Sequence, residues 1–229
     1  MNDRNPLLRW DYVVSQREAI VGAVIEHLQL TVLTVVLGLV VAGVLAAIAL
    51  RHERARPTIG AGTAALYTIP SVAFFGLLVP STGLTRTTAL IPLVAYTLVV
   101  LVNAIIDGFD QVPPAVEEAA EAIGLSPFRR VIGVRLPLAV PVIVSGLRVA
   151  TVTTVGLVTL AAIVGQGGLG RLILDGLRRA FWTPLTVGAI LSILLALALD
   201  AAFVLLERRI APWSVRRAPR RSARPSVPA

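Results

Sequence analysis

The sequence predicts an all-α integral membrane protein with about five transmembrane helices. Of its 229 residues, 56% are hydrophobic and 15% are charged, whereas a soluble domain carries about 25% charged residues. The uncharged residues are concentrated in long runs, such as the 23 residues between His27 and Arg51. A helix of that length crosses a hydrocarbon core of about 30 Å, so each such run predicts one span.

Two absent residue types exclude several functions. The chain contains no cysteine, which excludes disulfides, thiolate metal sites and cysteine nucleophiles. All 21 basic residues are arginines, and without a P-loop lysine the chain cannot itself be a P-loop ATPase. The formal net charge of +8 does not indicate binding to nucleic acid, because the arginines lie beside apolar runs and in the C-terminal tail. Membrane topology explains that placement.

The N-terminal segment, residues 1–20, is predicted to lie outside the cytoplasm. It has neither the apolar core nor the cleavage site of a secretory signal peptide. Leu7, Trp10 and Val14 fall at helical spacing, and tryptophan is enriched at membrane interfaces. The segment is therefore either a short interfacial helix or a disordered lead-in.

The transmembrane region is predicted to cover residues 21–207. Charged residues and turn signals bound its apolar runs, among them the Pro-Ser-Thr-Gly sequence at 80–83. Two charges fall well inside spans, Arg148 in the fourth and Asp200 in the fifth. The five predicted spans are 28–50, 59–79, 87–106, 138–164 and 184–206.

Arginine placement predicts the orientation of these spans. If the loop at 107–137 is cytoplasmic, the inside segments 51–58, 107–137 and 207–229 hold 3, 3 and 7 arginines, or 13 of 21. By the positive-inside rule the N-terminus then lies outside and the C-terminus in the cytoplasm. The basic tail, residues 208–229, is predicted to be disordered and to lie against anionic membrane lipids.

The 107–137 loop is predicted to contain two short helices. Pro113 and Pro114 suit the start of the first helix, and Gly124 suits its C-terminal cap. Ser126 is placed to cap the second helix, with Pro127 at its first position. An ordinary amphipathic loop would show the same features.

The same loop resembles the EAA motif of permease subunits of ABC transporters. That motif reads Glu-Ala-Ala, three residues, Gly, nine residues, Ile, one residue, Leu-Pro, and here Val134 replaces the usual isoleucine. The resemblance implies the fold of type I ABC importer permeases, in which this loop docks on the ATP-hydrolysing subunit. The matching residues, which would couple transport to ATP hydrolysis, are Glu118, Ala119, Ala120, Gly124, Leu136 and Pro137.

Other stretches resemble the osmoprotectant branch of these permeases, which imports glycine betaine, choline or carnitine. They are EHLQLT at the start of the first span, YTIPSVAFFGLL in the second, and SGLRVATVTTVGLVTLAAIVGQGGLG in the fourth. Permeases of the methionine type also carry a glycine-rich segment and are the alternative. The resemblance implies a non-catalytic subunit in the cell membrane that itself binds no cofactor. Its implied partners are two ATPase subunits that bind ATP, a second permease copy or sister permease, and an extracytoplasmic substrate-binding protein.

The glycine-rich segment GQGGLG, residues 165–170, matches the six-residue pattern that cradles dinucleotide phosphates. The apolar run before it is far longer than a strand. The dinucleotide-binding fold also requires an acidic residue about 20 positions after the glycines, and that position here is Ile190. We therefore predict that the pattern is a coincidence. The four glycines are predicted to break the helix at the outer end of the fourth span, near the translocation path: Gly165, Gly167, Gly168 and Gly170.

The intramembrane charges Arg148 and Asp200 have similar predicted depths. An unpaired charge there costs at least about 2.5–3.5 kcal/mol, so they are predicted to form a structural ion pair, with pore lining as the alternative. An ion-coupled secondary transporter would use more buried acids and repeated halves, which the sequence lacks. His27 and His52, at the two ends of the first span, are predicted to be solvated.

Overall fold

The computed structural model describes residues 7–210, and every regular element in that range is helical. A π-helical segment spans Val131–Arg135, and a 3₁₀ turn spans Ala161–Val164. The ten α-helices described are α1 (Trp10–Ser15), α2 (Arg17–Arg51), α3 (Ala55–Thr68), α4 (Ser71–Thr82), α5 (Arg86–Asp110), α6 (Pro114–Ala122), α7 (Pro127–Arg130), α8 (Leu136–Leu160), α9 (Leu169–Arg178) and α10 (Trp182–Ile210).

Four helical units in the described part of the chain are long and apolar enough to cross a membrane. They are α2, α5, α10 and the continuous unit Pro127–Val164, which contains α7 and α8. The pair α3 and α4 makes a fifth candidate if the two helices together form one bent span. The predicted class, an all-α membrane protein with about five spans, is confirmed.

The second predicted span, 59–79, is not one straight helix. It is divided between α3 and α4, which meet at an angle of 91°. Pro70 has no backbone N–H and disfavours helical geometry at the preceding residue. Ile69 accordingly has φ −67° and ψ 125°, which is extended backbone. The sequence signal was Ile69-Pro70 inside an apolar run, and hydropathy alone does not register it.

Helix α5 lies at the centre and packs against α2, α3, α4 and α8. Its contact with α2 uses small residues four positions apart, Gly38, Ala42 and Ala46, of which the two alanines are fully buried. A Cβ atom on Gly38 would overlap the side chain of Thr97 in α5. Small residues at this spacing let membrane helices approach closely, where dispersion contacts rather than hydrophobic burial hold them together.

Helix α10 lies on the outside of the bundle and packs against α8 and α9. Its five buried residues lie between Thr183 and Ser192, and most apolar side chains further along are exposed. Helix α10 continues to Ile210, so the first three residues of the predicted tail, 208–210, are helical. The remainder, 211–229, lies outside the described residues.

Residues 10–15 of the N-terminal segment form the helix α1, and residues 1–6 lie outside the described range. Helix α1 is short, and Trp10 and Val14 project into the surroundings. Tyr12 contacts the ring of Phe181, edge to face, with centroids 5.2 Å apart. Helix α1 therefore lies at the end of the molecule where α9 meets α10.

Candidate functional site

The first helix of the 107–137 loop begins and ends where its sequence predicts. Pro114 occupies its first turn with Glu117, and the helix ends just before Gly124, which has φ +81°. The Leu125 amide donates to the carbonyl of Ala120 at 3.1 Å, and the Gly124 amide donates to Glu121 at 2.8 Å. These two bonds form a Schellman motif, which requires the left-handed backbone that glycine adopts at low cost.

The second helix of the loop leads directly into a membrane span. The Ser126 hydroxyl accepts a hydrogen bond from the Arg129 amide at 3.5 Å, and Pro127 occupies the first turn. The π-helical segment then carries the chain into α8 without a break, so that residues 127–164 form one helical unit of 38 residues. Helix α7 is therefore joined to the span through continuous helix.

Ion pairs join the first short helix of the loop to the second and to the π-helical segment. Glu117 Oε1 lies 2.9 Å from Arg135 Nε, and Glu121 Oε2 accepts from Arg130 at 2.8 Å. The Arg135 guanidinium also lies 5.3 Å from the centroid of the Phe109 ring, at the end of α5. A cleft of about 190 Å³ remains between the helices. Each pair is partly exposed, and such pairs contribute about 0–1 kcal/mol.

Several motif residues remain on the surface of the loop. Glu118 is exposed and forms no ion pair with any residue of the described range. Ala119 is exposed beside it, whereas Ala120 is buried and belongs to the Schellman motif. Leu136 is exposed, and Pro137 follows the π-helical segment inside the continuous helical unit, where it has no N–H to donate to the preceding turn.

Two large apolar side chains flank the turn at Gly124. Ile123 is 75% exposed and Phe128 is 73% exposed. No part of the described chain covers these two side chains. They remain in contact with the surroundings, unlike apolar side chains packed in a protein interior. Exposed apolar groups beside charged ones are typical of a surface that a partner protein covers.

The glycine-rich segment lies at the other end of α2. Gly167 and Gly168 both have positive φ, and a Cβ atom on Gly167 would lie 2.6 Å from the carbonyl oxygen of Val158. A Cβ atom on Gly168 would overlap the Ala23 carbonyl of α2, and one on Gly170 would overlap the backbone of Thr159. These three glycines therefore allow backbone to pack directly on backbone.

Gly165 ends the helical unit that contains the fourth span. It follows the 3₁₀ turn with φ +75° and a left-handed conformation, and nothing lies near its missing Cβ. A helix, α9, does begin on these glycines, but what precedes them is α8 with its 3₁₀ turn and not a strand. The dinucleotide pattern therefore lacks the strand that its fold requires. Among the described residues, no cluster of three or more His, Asp or Glu side chains could hold a metal ion.

His27 is a residue that sequence reasoning placed wrongly. The prediction was a solvated histidine, but the side chain is fully buried between α2, α8 and the glycine-rich segment. Its Nδ1 lies 3.2 Å from the Gly167 carbonyl oxygen, and its Nε2 lies 3.0 Å from that of Val155. In the sequence, His27 directly precedes the apolar run of the first span, and this position does not predict that its side chain is buried.

Glu26 completes the contact between α2 and the glycine-rich segment. One carboxylate oxygen accepts a hydrogen bond from the Gly168 amide at 3.4 Å, and the other contacts the Arg171 guanidinium. Arg179 pairs with Asp175 on α9 at 2.8 Å. Arg171 and Arg179, which the predicted topology places outside the cytoplasm, are thus each paired with a nearby acid.

The two intramembrane charges form a bidentate ion pair between α8 and α10. Arg148 Nε donates to Asp200 Oδ1, and a terminal guanidinium nitrogen donates to Oδ2 at 2.8 Å. Both side chains are half-buried within the chain. Paired geometry of this kind fixes both the distance and the orientation of the two groups.

Comparison with known proteins identifies relatives of this architecture. Residues 38–212 match the model of a family described as the binding-protein-dependent transport system inner membrane component. The chain is 33% identical to the osmoprotectant import permease protein OsmW of Salmonella typhimurium, over 90% of this chain and 98% of the relative. It is 31% identical to the choline transport system permease protein OpuBB of Bacillus subtilis, over 84% and 88% of the two chains.

Solved structures share the fold at lower sequence identity. The inward-facing MetNI methionine ABC transporter superposes with a TM-score of 0.73 and 21% identity, covering 86% of this chain and 98% of the other. An amino acid ABC transporter with histidines gives a TM-score of 0.73 at 18% identity, over 88% and 99% of the two chains. At these identities the likeness shows the fold alone.

Proposed function

Because the chain belongs to the family of binding-protein-dependent transport system inner membrane components, we propose that it is the permease subunit of an ATP-driven importer of osmoprotectants. Glycine betaine, choline and carnitine are the proposed solutes. The observation that carries this substrate class is the 33% identity to an osmoprotectant import permease over nearly the whole of both chains. The chain would form the translocation path, and a separate subunit would hydrolyse ATP.

The ATPase subunit is proposed to dock on the 107–137 loop. Glu117 and Glu121 are engaged with arginines of the same loop, whereas Glu118 makes no such pair. Glu118 is thus free to meet a positive group on the partner, with Ile123 and Phe128 supplying an apolar contact on the same loop. A buried apolar centre with charges at its rim is the usual composition of a protein interface.

The continuous unit from Pro127 to Val164 supports a coupling mechanism. A movement of the docked ATPase would displace α7 and, with it, the span that ends at the glycine-rich segment. Nucleotide binding and hydrolysis would shift the population between states open to either side of the membrane. A second permease copy or sister permease would form the other wall of the path, and an extracytoplasmic binding protein would deliver the solute.

The proposed orientation has the 107–137 loop and the C-terminus in the cytoplasm and the N-terminus outside. The arginines near Arg51, the 107–137 loop and the basic tail support it. A reporter fused after Arg209 should read cytoplasmic and one inserted at Thr82 should read extracytoplasmic. The reverse pattern would place the loop out of reach of any cytoplasmic ATPase and would overturn the coupling mechanism.

The Arg148–Asp200 pair is proposed to have a structural role, joining the peripheral helix α10 to α8. Neutralising both residues together should harm the yield of folded protein less than the two single losses combined, because a single loss leaves an unpaired charge. The measurement is a double-mutant cycle, and strictly additive losses would show that the pair contributes nothing.

The experiment that tests the proposed function is uptake by cells that lack this subunit. They should lose high-affinity, ATP-dependent accumulation of glycine betaine, choline and carnitine at high osmolarity. Retained uptake of all three, in a strain with no second system, would overturn the substrate class. Loss of methionine uptake instead would favour the amino-acid alternative, which the solved neighbours suggest by fold. Uptake that collapses with the ion gradient, and persists without ATP, would indicate a secondary transporter.

Charge reversal at Glu118 tests the docking surface. Glu118→Lys should lower co-purification of the ATPase subunit and uptake together while leaving the amount of permease in the membrane unchanged. Glu53→Lys is the matched control, since Glu53 is also exposed, lies at the same end of the molecule and is outside the loop. Normal ATPase association of Glu118→Lys, or equal loss in both variants, would show that Glu118 is not a specific docking contact.

A further inference from the structure

The break between α3 and α4 opens a cleft of about 290 Å³. The break lies near the middle of the bent pair, with 14 residues of helix on one side and 12 on the other. Two tyrosines line the cleft, Tyr67 and Tyr96, together with three hydroxyl-bearing residues, Thr68, Ser71 and Thr153. No charged residue is among those that line it.

The two tyrosine rings form a corner. Their centroids lie 5.8 Å apart and their planes meet at 84°. The Tyr96 ring is buried, and its hydroxyl donates a hydrogen bond to the carbonyl of Ile69, at the break itself. Phe74 packs edge to face against the same ring, with centroids 6.1 Å apart. Tyr96 is therefore held in place, whereas Tyr67 is 48% exposed.

The break brings two opposite helix ends to the cleft. The C-terminus of α3 carries partial negative charge and the N-terminus of α4 carries partial positive charge, so the helix dipoles do not select the sign of a ligand. The Ile69 carbonyl already accepts from Tyr96, and the Leu66 carbonyl accepts from the Ile69 amide. The groups that favour a cation in this cleft are therefore the tyrosine rings.

The chemistry of the lining selects the kind of cation. A divalent metal ion prefers carboxylate oxygens, and no acid is among the residues that line the cleft. A quaternary ammonium group has no N–H to satisfy and is recognised by aromatic faces. The volume is also below the roughly 300–1,000 Å³ of pockets for drug-sized ligands, which suits a small headgroup.

The position of the cleft indicates that it does not face lipid. A backbone break at membrane depth is tolerated only where it is buried in protein or lines a water-filled cavity. Tyr67, Thr68 and Thr153 are exposed, so the described part of the chain leaves this side of the break uncovered. The cleft is therefore placed to line the space between this subunit and its proposed permease partner.

We propose that this cleft is a binding site for the quaternary ammonium group of the solute on its way through the membrane. The Tyr67 ring is the accessible contact, and the Tyr96 ring is the fixed wall. The inference rests on the proposed function and adds to it a solute site on the permease itself, separate from the one on the binding protein.

The experiment measures equilibrium binding of choline to the assembled permease–ATPase complex, without the binding protein. Tyr67→Leu should weaken binding by about 3- to 30-fold, the range of a cation–π contact, and Tyr67→Phe should bind like the wild type. The neutral isostere of choline, with carbon in place of nitrogen, should bind wild type and Tyr67→Leu equally. Co-purification of the ATPase with each variant checks that the complex is assembled.

The outcomes separate the two proposals. Choline binding by Tyr67→Leu that equals the wild type, or an equal loss for choline and its isostere, would overturn the cleft proposal and leave the proposed function standing. A wild-type complex that neither binds nor transports any quaternary ammonium solute would overturn the proposed function and the cleft proposal with it.

Discussion

The glycine-rich segment and the 107–137 loop lie at opposite ends of α2 and differ in what completes their packing. At the glycine-rich end, Gly168 contacts the backbone of α2, and His27 is fully enclosed. At the loop end, the contacts are exposed ion pairs, and Ile123 and Phe128 project from the surface. The glycine-rich end is packed within the described chain, whereas the loop end presents apolar groups that the described residues leave uncovered.

This difference predicts that substitutions at the glycine-rich end affect folding and that substitutions in the loop affect assembly. Two glycines illustrate it, since both have positive φ. A Cβ atom on Gly168 meets backbone, whereas a Cβ atom on Gly124 has nothing within 4 Å. A side chain at Gly168 would therefore cause both backbone strain and a steric collision, whereas a side chain at Gly124 would cause backbone strain alone.

The largest expected effect is that of Gly168→Ala. The new Cβ atom meets the Ala23 carbonyl and the His27 backbone, and φ +49° with ψ −107° is strained for any L side chain. Together these should lower stability by about 2–6 kcal/mol, measured as the thermal unfolding midpoint of the purified protein. Gly156→Ala in α8 is the matched control, since its Cβ atom would lie in open space. Equal midpoints for the two variants would contradict the packing at this end.

The next effect is that of His27→Leu, a change of similar side-chain volume. It leaves the carbonyls of Gly167 and Val155 without the imidazole between them, which should cost about 1–3 kcal/mol. His52→Leu is the control, because His52 is exposed at the other end of α2. If both variants unfold at the wild-type temperature, His27 does not hold the glycine-rich segment.

The third expected effect is that of Gly124→Val in the loop, where the main consequence is for assembly. A β-branched residue at φ +81° should strain the turn by about 1–3 kcal/mol. Because the turn orients the proposed docking surface, association with the ATPase should fall more than the amount of permease in the membrane. Gly133→Val serves as the control, since Gly133 is in the same loop, in open space and without positive φ. A Gly124→Val variant that binds the ATPase normally would show that this turn does not shape the docking surface.

The local structure of the loop was predictable because its signals are local. Pro114, Ser126 and Gly124 each act through the backbone of their own turn, and the structure has a helix start, a cap and a left-handed residue at these positions. The role of Glu118 was suggested by motif spacing and remains a proposal. What the loop sequence did not reveal is that α7 continues into the span, because the π-helical segment has no sequence signature of its own.

Hydropathy found the apolar stretches but not the break in the second one. A single proline in an apolar run is compatible with a kinked helix, a broken helix or a helix start. The outcome here depends on Tyr96, which is 27 residues further along the chain and donates to the Ile69 carbonyl. The same bond places two tyrosines side by side, so the cleft was also beyond what the sequence alone could predict.

By itself, the sequence determined the class of the protein, the approximate number of spans and the caps of its loop helices. These follow from the length of apolar runs and from residues that act within one helical turn. The tertiary structure decided the burial of His27, the sharp bend at Ile69 and the meeting of Arg148 with Asp200, 52 residues apart. Each of these depends on which helices become neighbours, and in a membrane that choice is made by close packing of small residues and by polar contacts between distant segments.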